Sequence, residues 1–444
     1  MLLKIESLDL KGQGVAHDCD GKTIFVEGAL PFEVVGANIF RQKKNFALAK
    51  IAHVLKASPA RVLPECPHFG VCGGCVMQHL ATDSQLAVKS RVLEDALKFI
   101  GDVQAQTFFA PIAGTPWHYR HRARLSARFV AKKGTVLVGF HEKKSSFIAD
   151  IQSCAILPKK ISNLLIPLRN LIGALSIFEY IPQIELAVGD AMTALVLRIL
   201  APLSDADETL LKEFADFHNV VFYLQEKGPD TARRFYPLDN QELFYTLPEF
   251  DLKIHFQPTD FTQVNHAVNR ILVRRALSLL NPQKTDQIAD FFCGLGNFTL
   301  PIAKSAAQVL GIEGNAALIA RAKESAKING LANADFAVAN LFEESFFADF
   351  DFSRFNKLLI DPPREGAIAL VKALPENDFA PKRIVYISCN PATLARDAAV
   401  LVHCKNYILR GAGVVNMFSH TAHVESLAVF EKNQGLTVEN RHAH

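Results

Sequence analysis

Cys389 lies in Tyr386-Ile387-Ser388-Cys389-Asn390-Pro391, directly after an apolar run of strand character. A thiol at the end of a strand stands where doubly wound sheets collect their ligands, and it is placed to act as a nucleophile. Upstream, Asp290-Phe-Phe-Cys-Gly-Leu-Gly-Asn-Phe298 carries Gly294 and Gly296, which allow a sharp strand-to-helix turn that a ligand can approach closely. The dinucleotide fingerprint needs a further glycine or alanine where Thr299 stands, so an adenosyl group without pyrophosphate fits better. Glu313 follows about 20 residues beyond the turn, at the end of the next strand, where a carboxylate can accept from both ribose hydroxyls. The two features together indicate S-adenosylmethionine. Asn340, after the following strand, either reads an adenine edge or forms a turn.

Asp361-Pro-Pro-Arg364 closes another strand and is similar to the Asp-Pro-Pro-Tyr motif of amino-methyltransferases, with Arg364 in place of the aromatic residue. That substitution argues against methylation of an exocyclic amine and leaves Asp361 free to bond a base edge or the methionine part of a cofactor. Carbon 5 of a pyrimidine is a poor nucleophile. Its methylation needs a thiolate to add to carbon 6, and then a base to remove the carbon-5 proton. Cys389 is the candidate thiolate. Glu425, in Ser419-His-Thr-Ala-His-Val-Glu-Ser426, is the best-placed base, with His420 and His423 as competitors. Cys293, inside the glycine turn, competes as nucleophile, but its default reading is a buried structural thiol.

The elements that must hold these groups follow from the apolar pattern. Strands are predicted near Gln287–Phe292, Gln308–Glu313, Asn333–Val338, Lys357–Ile360, Arg383–Ile387, Tyr407–Ala412 and Ser426–Glu431, with helices between them and one over His266–Leu280. This alternation gives an α/β class with a doubly wound, mainly parallel sheet over 260–444. Residues 1–57 alternate apolar and polar positions between glycines, the rhythm of a small β-barrel, and Phe40-Arg-Gln-Lys-Lys-Asn-Phe46 suits stacking on bases and meeting phosphate. Between them, 58–259 reads as a central α+β domain. It has a helix over Asp83–Ile100 and a strand, Arg122-Ala-Arg-Leu-Ser-Ala-Arg128, expected to present one cationic face. With 48 basic and 45 acidic residues the net charge is only +3, so a polyanion must be met by local patches. No long uninterrupted apolar segment is present, and a cytoplasmic protein is expected. Cys66-x5-Cys72-x2-Cys75 with distant Cys154 supplies four thiolates, enough for a tetrahedral zinc or a four-iron cluster, and spacing does not separate these.

Ser388-Cys-Asn-Pro-Ala-Thr-Leu-Ala-Arg-Asp397, Phe261-Thr-Gln-Val-Asn265, Asp290–Pro301, Asp361-Pro-Pro-Arg364 and His420-Thr-Ala-His-Val-Glu425 together resemble the RNA uracil-C5 methyltransferases. The resemblance is dense over 260–431 and extends through Cys66–Cys75, Tyr119–Ser126 and Ile151–Leu157. It implies a Rossmann-like fold with Cys389 as nucleophile and Glu425 as proton-abstracting base. It also implies an S-adenosylmethionine site lined by Gln263, Phe292, Asn297, Glu313, Asn340 and Asp361. The barrel is similar to a TRAM domain, an OB-like RNA-binding module, departing at Phe32, where the pattern usually has glycine. The resemblance further implies a [4Fe-4S] cluster on Cys66, Cys72, Cys75 and Cys154. Having both barrel and cysteine cluster, the chain resembles the branch that modifies 23S ribosomal RNA, with uridine 1939 as the expected target and a monomer without a protein partner as the expected state. The same chemistry on another 23S uridine or on transfer RNA, a non-catalytic RNA-binding protein, a radical enzyme and a nicotinamide-dependent oxidoreductase are the alternatives.

Overall fold

The computed structural model describes residues 1–238, 242–377 and 379–433. The N-terminal unit is one six-stranded sheet built from β1 (Leu2–Lys4), β2 (Ser7–Leu8), β3 (Gln13–His17), β4 (Thr23–Glu27), β5 (Val34–Gln42) and β6 (Phe46–Lys56). Its strand order is β1-β5-β6-β4-β3-β2. Alternating side chains such as Ile24 and Val26, Val35 and Ala37, and Ala47 and Ala49 point inward to a common core, as the period of two requires. Phe32, in the turn before β5, has φ 71°, the left-handed conformation that glycine adopts without strain. Its amide is held by the Ile5 carbonyl, so the turn survives the departure from the family pattern. The buried Glu33 carboxylate beside it accepts from Leu30 and Ser58 amides and pairs with Arg61, tying the barrel to the next segment.

Helix α1 (Thr82–Phe99) follows the cysteine cluster. The central sheet then takes β7 (Arg122–Val130), β8 (Thr135–Gly139), β9 (Gln183–Val188), β10 (Thr193–Arg198), β11 (Val221–Gln225) and β12 (Arg233–Tyr236), in the order β12-β11-β10-β9-β7-β8. Helices α2 (Lys159–Ser162), α3 (Leu165–Ala174) and α4 (Asp205–His218) accompany it. The expected cationic face of β7 is partly cancelled. Glu185, opposite Arg124 on β9, pairs with Arg124 at 2.8 Å and lies 3.9 Å from Arg122. A cross-strand partner distant in sequence is invisible to a reading of β7 alone.

After the hairpin β13 (Phe244–Leu247) and β14 (Leu252–His255) comes the largest sheet. It contains β15 (Gln287–Phe291), β16 (Gln308–Glu313), β17 (Ala334–Val338), β18 (Lys357–Ile360), β19 (Arg383–Ser388), β20 (Tyr407–Val415) and β21 (Glu425–Lys432), ordered β17-β16-β15-β18-β19-β21-β20. The helices are α5 (His266–Leu280), α6 (Thr299–Ala303), α7 (Ala316–Ile328), α8 (Glu344–Ala348), α9 (Ile368–Ala373) and α10 (Pro391–Ala399). Strands β15 to β19 pair in parallel, whereas β21 runs antiparallel between β19 and β20. The order reverses between β15 and β18, and the carboxyl ends beside such a reversal are where doubly wound sheets bind their ligands.

Two segments cross the boundaries expected from sequence. The α1 helix packs on α10 and β20 of the large sheet, and residues 106–112 run beside β20, with Phe109 and Ile112 amides donating to Ala412 and Val414 carbonyls. The β14 strand packs on α7, where Asn329 and Ser325 side chains accept from the Lys253 and His255 amides.

Candidate active site

Parallel strands β15, β16, β18 and β19 deliver their carboxyl ends to one edge, and the antiparallel β21 delivers its first residue to the same edge. Ser388 pairs with Ser426 across β19 and β21, so one further step along that register sets Cys389 opposite Glu425. Residues 36 positions apart in the chain thus face each other because the last strand is reversed. Glu425 is 4 % exposed and Cys389 half-buried. Asp361, half-buried in the turn after β18, adds a second carboxylate near both.

The electrostatics follow from burial and like charge. Burial first, then Asp361, holds the Glu425 carboxyl well above its usual range. Asp361 is pushed up to about 7 by burial. The Cys389 thiol is pushed up to about 11, by burial, then Glu425, then Asp361, with Arg364 opposing them. Arg364 spans the two halves of the site. Its carbonyl accepts from Asn390 Nδ2 at 3.1 Å and Thr393 Oγ1 at 3.2 Å, while its guanidinium donates to His423 Nδ1 at 3.1 Å. Accepting that bond requires an unprotonated Nδ1, and burial followed by Arg364 keeps the His423 pKa below its ordinary value. Arg364 and Thr393 lie in motifs noted from the sequence, but neither was given a role in the site. The arginine in the Asp-Pro-Pro-Arg turn was the available signal.

The glycine turn is built as expected. Gly294 and Gly296 have φ 54° and 84°, and Phe292 also takes a left-handed φ of 64°. Glu313 caps the turn: Oε2 accepts from the Gly294 amide at 3.3 Å and Oε1 from the Asn315 amide at 3.0 Å. Phe292 faces Phe342, a half-exposed ring missed from the sequence, at 5.7 Å between centroids. Asp290 is fully buried; Oδ2 accepts from Thr299 Oγ1 at 2.5 Å and Oδ1 has no partner. Burial, then the Asp361 and Glu313 charges, pushes it up to about 8, against the opposing Thr299 bond.

Other expected residues are differently engaged. Asn297 Oδ1 accepts from Tyr245 Oη and Asn269 Nδ2, and its Nδ2 donates to Asn269 Oδ1, so much of its amide is committed within the protein. Asn340 is exposed and folds back in a turn, accepting from the Phe342 amide and donating to Glu343. Gln263 lies half-buried just before α5. Cys293 is 4 % exposed, its thiol held well above the ordinary range chiefly by burial, and its Sγ fills the space over Gly311. His420 lies 2 % exposed behind the site, stacked on Trp117, and not at its mouth.

Cys66, Cys72, Cys75 and Cys154 line a single cavity with Phe69 and Phe140, and all four are free thiols. Cys75 is pushed up to about 12 and Cys154 to about 11, by burial first and then by the neighbouring thiolates. Among the described residues, no group of three or more His, Cys, Asp or Glu is arranged to close on a metal ion.

The tRNA (uracil-5-)-methyltransferase family model matches residues 81–433, and a TRAM domain model matches residues 1–52. The chain belongs to the uracil-C5 methyltransferase family. A relative in this family from Dechloromonas aromatica, named 23S rRNA (uracil(1939)-C(5))-methyltransferase RlmD, is 61 % identical over 96 % of this chain and 99 % of its own length. The relative of the same name from Nitrosospira multiformis is 60 % identical over 96 % of this chain and 98 % of its own length. Among solved structures, the Pyrococcus abyssi tRNA (uracil-54, C5)-methyltransferase in complex with S-adenosyl-L-homocysteine superposes with a TM-score of 0.74. It covers 97 % of this chain and all of that one at 24 % identity, a likeness of fold. No helix among the described residues is long and apolar enough to cross a membrane.

Proposed function

We propose that this protein transfers a methyl group from S-adenosylmethionine to carbon 5 of one uridine of 23S ribosomal RNA, the one numbered 1939 in the names of its relatives. The observation that carries the chemistry is the β19–β21 register, which sets Cys389 opposite Glu425 beside Asp361.

The methyl donor fits the glycine turn: its sulfonium cation suits an edge walled by Asp290, Asp361 and Glu425, and the orphaned Asp290 Oδ1 and the open ring of Phe342 offer polar and stacking partners. Bound there, it supplies an electrophilic methyl group. Gln263, Phe292, Glu313 and Asp361 would hold it, with Asn297 and Asn340 acting through backbone or reoriented amides. Cys389 gives its proton up to solvent and adds to carbon 6, making carbon 5 nucleophilic towards the methyl group, whose transfer would leave S-adenosylhomocysteine. Glu425 then removes the carbon-5 proton, the double bond reforms, and the thiolate departs. A carboxylate whose proton affinity is raised by burial is the stronger base for that carbon acid.

The uridine must leave its stack to reach the thiol. Exposed Phe40, Arg41, Lys43 and Lys44 on the barrel supply stacking and phosphate contacts for the surrounding RNA. Cys66, Cys72, Cys75 and Cys154 would hold a [4Fe-4S] cluster, with a tetrathiolate zinc ion as the competing occupant. These four thiols line one cavity, and the cluster reading rests on the family resemblance of their spacing. Fully ligated, the cluster would be structural.

The test is to incubate purified protein with methyl-labelled S-adenosylmethionine and 23S ribosomal RNA from cells lacking the enzyme, then map 5-methyluridine by nuclease digestion and mass spectrometry. A single new 5-methyluridine is expected. Label in transfer RNA alone would keep the chemistry and overturn the substrate, and no label in either would overturn both.

A further inference from the structure

The loop from Asn416 to Val424 joins β20 to β21 and ends on Glu425, and its polar atoms are gripped from outside the large sheet. Gln85 and Lys89 stand one turn apart on α1, in line with Leu93, Ala96 and Leu97, and are fully buried where an apolar stripe would be expected. Gln85 Oε1 accepts from the His420 amide at 2.9 Å, and Gln85 Nε2 meets His420 Nδ1 at 3.1 Å. Lys89 Nζ donates to Asn416 Oδ1 at 2.9 Å and to the Phe418 carbonyl at 2.8 Å.

Other groups complete the grip. The amides of Val76 and Met77, directly after Cys75, both donate to the His420 carbonyl, at 2.8 and 3.1 Å. Tyr119 Oη donates to the Ser419 carbonyl, and the Trp117 ring stacks on His420 at 3.9 Å. His420 itself has φ 65°, in the left-handed region that residues with a Cβ adopt uncommonly. A buried ammonium whose hydrogen bonds go to an amide and a carbonyl is expensive compared with a methionine of similar reach. Its place in the stripe is explained by the two loop oxygens it holds.

We propose that Gln85 and Lys89 are positioning residues for Glu425, holding the loop so that the covalent intermediate breaks down promptly after methylation. The inference rests on Glu425 as the base. In the step concerned, the Glu425 carboxylate takes the carbon-5 proton, the C–H electron pair reforms the C5–C6 double bond, and the C6–S bond breaks with its pair returning to Cys389. Cys389 is placed by β19 and the start of α10, and the loop reaches the surroundings of that thiol through the His423–Arg364 bond, which Gln85 and Lys89 do not touch, so loosening the loop leaves thiol addition and methyl transfer largely intact. Glu425 is the first paired residue of β21, opposite Val415, and moves when the loop loosens.

The experiment compares Gln85→Met, Lys89→Met and Glu425→Gln with the unaltered protein in single turnovers with methyl-labelled S-adenosylmethionine and a 23S ribosomal RNA fragment. Adduct is followed by denaturing electrophoresis and the 413–424 peptide by deuterium exchange. Expected for both methionine variants are faster exchange, labelled RNA of near-normal amplitude, and a protein-RNA adduct at least tenfold longer-lived. Unchanged adduct lifetime, or unchanged exchange, overturns the proposal. Tyr119→Phe, which removes one hydroxyl from the same grip, replaces any variant that fails to fold, with the same two readings. If Glu425→Gln traps no adduct, the base assignment fails and this inference with it; if it traps one and the grip variants do not, only this inference fails.

Discussion

Replacing Asp361 by asparagine should make Cys389 more reactive towards a small alkylating agent, although it damages the site. The Cys389 thiol is raised from an ordinary 9.0 to about 11, so near pH 8 the free protein holds about one thiolate in a thousand, against about one in ten for an ordinary thiol. Iodoacetamide should therefore modify Cys389 about a hundredfold more slowly than an exposed cysteine, and its rate should climb tenfold per pH step without levelling before about pH 9.5. Asp361 titrates at about 7 and is ionised across that range, so its removal takes away a repelling charge. Burial, the largest cause, remains. The rate near pH 8.5 should rise about three- to tenfold in Asp361→Asn, and it should fall in Arg364→Gln, which removes the opposing cation. Quantifying the alkylated Cys389 peptide by mass spectrometry separates it from the seven other cysteines. A plateau below pH 9 in the unaltered protein, or the same direction of change in both variants, would refute the electrostatic account.

The buried Asp290 should make the ligand-free protein lose stability as pH rises. Its folded pKa of about 8 lies above the ordinary 3.8, so its contribution is complete below about pH 4 and is lost through pH 8. Calorimetry should show Asp290→Asn gaining on the unaltered protein between about pH 4 and 8, and a constant difference would remove the premise. Protein purified without oxygen should contain four irons and four sulfides per chain, and Cys154→Ser should lower both. Stoichiometric zinc without sulfide would replace the cluster assignment.

The strands of the large sheet were legible because each is a short apolar run bounded by turn residues. Predicted and observed limits agree within a residue for β15 to β19, and β20 runs on to Val415 because residues 106–112 pair along its flank. The helix over His266–Leu280 matches in both limits, its start marked by Asn265, whose Oδ1 accepts from the Val268 amide. Sequence by itself also determined which side chains could be nucleophile, base and turn, since thiol, carboxylate and paired glycines have few substitutes. Only the tertiary structure decided what these groups face. The reversed β21 put Glu425 against Cys389, Glu185 cancelled part of the cationic strand, and Asn269 and Tyr245 took up the Asn297 amide. Gln85 and Lys89 are buried only because the folded chain sets α1 against the His420 loop. Hydrogen bonds and fields depend on distance in space, and residues separated by over three hundred positions meet only once the chain has folded.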